Sequence, residues 1–167
     1  MILYFIAAIL IVISDQITKI LTSSSIKGDE VKAVIPGILS FANIKNEGAA
    51  FGILQGARVF FILMTVAVVV LVTIYIIKTK PQSRLERWAL CFMAGGALGN
   101  FIDRAAFGYV RDFIMVEFID FPVFNIADCF VCIGAGLYVL YAFSDIFKKK
   151  EENETDDKKL TETDSVG

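Results

Sequence analysis

No histidine occurs among the 167 residues. That absence removes His-based hydrolytic triads, HExxH zinc sites and haem held by a histidine. Cysteine is scarce: Cys91, Cys129 and Cys132 all lie in apolar segments, which argues against a disulfide framework. Cys129-Phe-Val-Cys132 has the spacing of half a metal site but no second ligand pair. No metal and no cofactor are therefore expected, and these two thiols read as small helix-packing groups. Charge is missing from long stretches: residues 1–14, Val59 to Ile77 and Cys91 to Ile102 carry none. Neither sign is in excess, since 16 bases face 18 acids for a net charge of −2. A basic nucleic-acid binder is excluded on that balance. Any chemistry must fall to carboxylates, hydroxyls, lysines or thiols.

What is present is apolar. Hydrophobic residues make up 56% of the chain and the mean hydropathy is +0.67, whereas soluble domains run about 45–50% apolar. A soluble enzyme with one core does not fit. Crossing a hydrocarbon layer of about 30 Å takes about 20 apolar residues, and four segments qualify, at about 2–21, 59–77, 88–106 and 124–147. The first has the apolar run of a signal peptide but lacks a basic n-region and an A-x-A cleavage site. It also carries Asp15 and Lys19 at i and i+4, where they can pair.

Basic residues set the expected orientation. Lys78, Lys80, Arg84 and Arg87 fall within ten residues between spans two and three, and Lys148, Lys149 and Lys150 follow span four. The four bases between Thr22 and Arg58 are diluted over 37 positions. Both termini are therefore expected in the cytoplasm, with two loops outside. In the first loop, Val31 to Asn46 reads as two short strands joined at Pro36-Gly37, and Gly48 to Ile53 as a short helix or strand edge lying on the membrane. The second loop has strand character from Val110 to Phe118. Residues 1–147 form one domain on this reading. Residues 148–167, with five lysines and seven acids, are expected to be a disordered cytoplasmic tail.

Ionisable residues inside spans cost about 2.5–3.5 kcal/mol at the helix centre and are functional suspects by default. Asp103 lies 16 residues beyond Arg87, about 24 Å at about 1.5 Å per residue. Asp128 lies 20 residues before Lys148, about 30 Å by the same rise, and Asp15 about 21 Å from the N-terminus. All three thus reach the outer boundary, with Asp112 in the loop just beyond. Asn100, Asp103 and Arg104 share one helix face, as do Asn125 and Asp128. The plain structural reading makes Asn125 an N-cap and pairs Asp103 with Arg104 and Asp15 with Lys19. Asp112 and Asp128 have no evident cation of their own and are the stronger candidates for chemistry. Gly95-Gly96-Ala97-Leu98-Gly99 reads as a close-packing surface, since no P-loop Lys-Ser/Thr follows it.

Five blocks occur in order: Ser14-Asp15-Gln16 with Thr18-Lys19, the run Asn46 to Gly52, Gly95 to Arg104, Val110-Arg111-Asp112-Phe113, and Phe124 to Asp128. Together they resemble the bacterial lipoprotein signal peptidase (signal peptidase II) family, over about residues 14–147. The resemblance implies an all-α membrane protein, four transmembrane helices with a small extracytoplasmic β-cradle, in the bacterial cytoplasmic membrane. It implies an intramembrane aspartic endopeptidase that removes the signal peptide from diacylglyceryl-modified prolipoproteins, cutting on the N-terminal side of the lipidated cysteine at the outer leaflet. Carried over, Asp112 and Asp128 are the catalytic pair. Asn46, Asn100, Asp103, Arg104 and Asn125 line or brace the site, and Asp15 and Lys19 match a polar pair on the first helix. The implied partners are lipid-modified prolipoproteins and membrane phospholipid, with the protein a monomer. Phe121-Pro122 departs from the family pattern, where the residue before the proline is often Trp, and the acidic tail is longer than the family needs.

Elementary electrostatics agrees with such a pair. Two carboxylates about 4 Å apart repel by about 4 kcal/mol at an effective dielectric of about 20. That splits their proton affinities by roughly a thousandfold, so one stays protonated while the other ionises. A small four-span transporter is the leading alternative, but it would hold its acids near the midplane. A serine intramembrane protease would need a histidine, and a presenilin-like protease a GxGD block. A structural membrane protein stays open unless Asp112 and Asp128 meet.

Overall fold

A computed structural model describes residues 2–48 and 54–164. The order is α1 (Ile2–Ser25), β1 (Lys32–Ile35), β2 (Leu39–Asn46), α2 (Arg58–Thr79), α3 (Arg84–Phe107), β3 (Val110–Val116) and α4 (Ile126–Asp164). Most of the expected block from Gly48 to Ile53 lies outside the described residues. Three described helical stretches are long and apolar enough to cross a membrane: Ile2–Ser25, Arg58–Thr79 and Ile126–Lys150. Helix α2 buries only Phe61 and presents Val59, Leu63, Leu71 and Ile77 outward. Such a surface suits hydrocarbon, where every backbone polar group must be satisfied within the helix.

Helix α3 is built differently. It buries eight residues, Glu86, Ala89, Leu90, Cys91, Gly95, Gly96, Gly99 and Asp103, because α1, α2 and α4 all pack against it. A helix walled in by others need not be apolar all round. Its glycines permit the close approach expected of small residues. A Cβ on Gly99 would stand 2.7 Å from Asp15 Oδ2, and one on Gly96 would collide with the Ala127 carbonyl. Ser83 caps the start, its hydroxyl accepting the Glu86 N–H at 3.4 Å. Gly108, at φ +90°, ends the helix with its N–H on the Arg104 carbonyl.

The three strands form one antiparallel sheet in the order β1-β2-β3. The β1–β2 turn falls at Pro36-Gly37 as the sequence suggests, with Gly37 at φ +74°, a conformation that favours glycine. Glu117 ties this turn down, accepting the Gly37 N–H at 2.8 Å and the Ser40 hydroxyl. On β2 the register pairs Ile44 with Asp112, Lys45 with Arg111 and Asn46 with Val110. The chain then returns to β3: Phe124 donates to the Ile114 carbonyl at 3.1 Å and accepts from the Phe113 and Ile114 N–H groups. That bridge delays α4 to Ile126, two residues inside the expected span.

Helix α4 does not stop near Phe147 either. It runs on to Asp164, where the composition suggests a disordered tail. The stretch after Phe147 contains neither Gly nor Pro until the last residue. Pairs of the i, i+4 type, Lys149 with Asp145 at 2.8 Å and Lys150 with Glu154 at 3.9 Å, support the helical phase.

Candidate active site

Asp112 and Asp128 meet through one residue, Asn125. Its side-chain amide donates to Asp112 Oδ1 at 2.6 Å, while its backbone N–H donates to Asp128 Oδ2 at 3.2 Å. Asn125 Oδ1 accepts the Asp128 N–H at 3.0 Å. Asn125 is thus the N-cap of α4 and Asp128, three residues on, reciprocates in a capping box. The cap reading of Asn125 holds, and the same residue ties Asp128 to Asp112. Strand β3 supplies Asp112 from the other side, because the Phe124 bridge holds residue 125 against that strand.

Each carboxylate has a second amide donor. Asn46, at the end of β2, donates to Asp112 Oδ2 at 2.8 Å, and Asn100 of α3 donates to Asp128 Oδ1 at 2.7 Å. Asn100 Oδ1 in turn accepts from Asn125 at 3.1 Å and from Lys19 at 2.9 Å. Neither Asp112 nor Asp128 forms an ion pair among the described residues. Asp112 is only 2% exposed, and burial pushes its carboxyl up to about 7, with the Asp128 charge adding to the rise and the Asn46 and Asn125 donors opposing it. Both acids line a cavity of about 590 Å³ with Asn46, Asn100 and Arg104.

Behind this pair lies a buried charge network. Asp15 and Lys19, both fully buried, pair at 2.8 Å as expected, and Asp15 Oδ1 accepts the Ala127 N–H at 3.0 Å, fixing α1 to the start of α4. Asp103, also fully buried, does not pair with Arg104. Its partner is Arg111 of β3, whose guanidinium reaches it at 2.7 Å and 3.1 Å and whose backbone N–H adds a bond at 2.9 Å. Lys19 stands 3.6 Å from Asp103, and Gln16 bonds both Asp103 and Arg111. Successive residues on a helix point about 100° apart, so Asp103 and Arg104 face different neighbours. Arg104 donates to the Gly48 carbonyl at 3.1 Å and lies over the Phe61 ring. No buried side-chain polar atom lacks a partner among the described residues.

The family model for signal peptidase (SPase) II matches residues 7–144. The chain belongs to the signal peptidase II family. Two relatives named lipoprotein signal peptidase, from Enterococcus faecalis and Bacillus velezensis, are 38% and 41% identical over 151 and 152 residues, or 90% of this chain and 94% and 99% of theirs. Two solved structures, each described as a bacterial membrane enzyme structure by the in meso method, superpose with TM-scores of 0.82 and 0.78 at 36% identity. They cover 86% and 85% of this chain and 88% and 93% of theirs.

All nine sequence-selected positions of this signal peptidase II family member fall in one connected hydrogen-bond network or on the cavity it borders. Gln16 and Arg111 were given no role by sequence reasoning, although both lie inside the ordered blocks. Strand alternation is the signal that finds Arg111: next to Asp112, it must face the opposite side, where Asp103 waits. The cysteine reading needs correction. Cys129 is half-buried and Cys132 exposed, and both line the cavity that holds the two acids, so Cys132 is not a packing residue. Cys91 is buried and donates to the Tyr4 carbonyl at 3.0 Å.

Proposed function

We propose that this chain removes the signal peptide from prolipoproteins whose cysteine already carries diacylglycerol, cutting on the N-terminal side of that cysteine, with Asp112 and Asp128 as an acid–base pair acting on water. The observation that carries this reading is the junction at Asn125, which holds a buried carboxylate, Asp112, and a half-buried one, Asp128, from separate elements on one cavity. The elevated proton affinity of Asp112 fits a pair that shares one proton near neutral pH.

The ionised carboxylate takes a proton from water as the water oxygen bonds to the scissile carbonyl carbon. The protonated carboxyl hydrogen-bonds the carbonyl oxygen as negative charge develops there. On collapse the C–N bond breaks and the departing nitrogen takes a proton from the pair, which returns to its single-proton state. The pair titrates as a unit, so the roles belong to the two carboxyls jointly. Amide donors from Asn46, Asn100 and Asn125 keep both groups fixed without supplying a cation that would trap them ionised. Arg104, on the same cavity wall, offers positive charge to the oxyanion or to a phosphate-free lipid ester.

In the same reading α3 is also a span, the third of four in chain order, shielded from lipid by its three neighbours, and the sheet is a cradle on the outer face. The dense bases between α2 and α3 support cytoplasmic termini and an outward-facing site. The protein then acts as a monomer in the bacterial cytoplasmic membrane and needs neither metal nor cofactor. The test is incubation of the purified full-length protein with a diacylglyceryl-modified prolipoprotein. Release of the signal peptide from the lipidated form and not from the unmodified form is expected. Intact precursor after prolonged incubation with folded protein would overturn the proposal.

A further inference from the structure

The end of the bundle opposite the carboxylates holds a second cavity, of about 470 Å³, which the peptidase reading does not use. It lies between the start of α1, the end of α2 and the start of α3, lined by Ile2, Phe5, Ile76, Ile77, Leu90 and Ala94 among others. Its wall is almost wholly apolar. Its one charged lining residue is Arg87, whose guanidinium lies 5.2 Å from the ring centroid of Tyr4, a second lining residue.

Four bases, Lys78, Lys80, Arg84 and Arg87, crowd the connector at this end. Lys78, Lys80 and Arg84 are exposed, and none of the four forms an ion pair among the described residues. The one acid in this segment, Glu86, is turned inward and accepts the Tyr75 hydroxyl. An apolar slot opening beside uncompensated positive charge matches one chemistry: an acyl chain joined to an anionic headgroup. Basic pockets between transmembrane helices bind anionic lipid headgroups, and juxtamembrane bases attract them.

We infer that this cavity is a binding site for an anionic phospholipid of the surrounding membrane, with an acyl chain between α1, α2 and α3 and the phosphate at the connector bases. Its place, far from Asp112 and Asp128, makes it separate from the peptidase site. Asp103 is 16 residues beyond Arg87 on α3, about 24 Å along the helix.

Trp88 is the only tryptophan of the chain, and its ring packs edge-on against Tyr4 with centroids 4.9 Å apart. It reports on this cavity. The full-length protein is reconstituted in phosphatidylcholine vesicles at fixed ionic strength. A small fraction of the lipid is then replaced by acyl-brominated phosphatidylglycerol or by acyl-brominated phosphatidylcholine, bromine being a short-range quencher of indole. Phosphatidylglycerol should quench Trp88 more strongly at equal fraction. The triple variant Lys78→Gln, Lys80→Gln, Arg84→Gln, all at exposed positions, should raise the phosphatidylglycerol fraction needed by more than about tenfold, at about fivefold per base. Filling the slot by Ala94→Leu, or from the facing helix by Ala8→Leu, should abolish the excess with the bases intact. Equal quenching by the two lipids would overturn the assignment. So would an excess that survives both filling variants, because lipid would then gather at the bases without entering the cavity.

Discussion

Arg111→Met separates the observed partner of Asp103 from the one its sequence neighbourhood suggests. Methionine keeps most of the side-chain stem but removes the Nε and Nη2 donors that reach Asp103 at 3.1 Å and 2.7 Å. Asp103 is fully buried, and breaking a buried pair from one side costs about 3–5 kcal/mol because the remaining charge is uncompensated. Lys19, 3.6 Å away, and the Gln16 amide at 3.1 Å still face the carboxylate, which argues for the lower end, about 3 kcal/mol. At about 2–4 °C per kcal/mol for a chain of this size, thermal unfolding in detergent should fall by about 6–12 °C. Adding Asp103→Asn removes the stranded charge, so the double variant should be no less stable than Arg111→Met alone. The coupling energy should lie within the 0.5–3 kcal/mol found for contacting pairs. Arg104→Met, tested in the same cycle with Asp103→Asn, should show much weaker coupling, because Arg104 feels Asp103 only through its charge and not through a direct contact. Additive effects for Arg111 and Asp103, or strong coupling for Arg104, would refute the pairing.

Asp112→Asn and Asp128→Asn should each lower cleavage by more than about a hundredfold, on the scale of acid–base groups, while the thermal transition stays cooperative. A variant of either that keeps more than about a hundredth of the normal rate would exclude its carboxyl from the chemistry. Because burial raises the Asp112 carboxyl to about 7 in the fold, its folded form holds a proton that the unfolded chain releases near pH 4. Stability from this group is full below about pH 4 and is lost as pH rises through about 7, a loss that Asp112→Asn should not show. A stability difference between the two proteins that is flat with pH would contradict this. Gly99→Ala should destabilise the bundle and impair cleavage together, since the added Cβ meets Asp15 Oδ2 at 2.7 Å; normal melting and normal activity would disprove the close approach. Deleting residues 151–167 should leave cleavage nearly intact, because Glu151 lies 23 residues beyond Asp128 on α4, about 34 Å along it. A truncated protein that melts normally but cannot cleave would contradict the outward placement of the site.

Much of this protein is local and so was legible in the chain. Apolar run length marks the helices, and the Pro36-Gly37 dipeptide marks the hairpin. The Asn125–Asp128 spacing marks a cap, since a capping box closes within four residues. Asp15 and Lys19 meet because one helical turn separates them. These features need nothing beyond their own segment, and the structure reproduces each.

What the sequence could not supply is which distant side chains share a dielectric. Asp103 and Arg104 are neighbours in the chain, yet helical rotation sends them apart, and the partner of Asp103 arrives on β3 from across the bundle. Residues 88–106 count as a span by their apolar run, yet the composition of the whole helix α3, Arg84 to Phe107, is too polar and glycine-rich for a lipid-facing helix. It becomes intelligible only when α1, α2 and α4 are seen to cover it. The meeting of Asp112 and Asp128 is likewise a tertiary fact: Phe124 must bridge β3 at Ile114, so that one asparagine caps α4 and bonds the strand's carboxylate at once. Spacing set the turn of each helix, but only packing decided which polar groups were removed from water together, and that desolvation is what raises the proton affinity of Asp112.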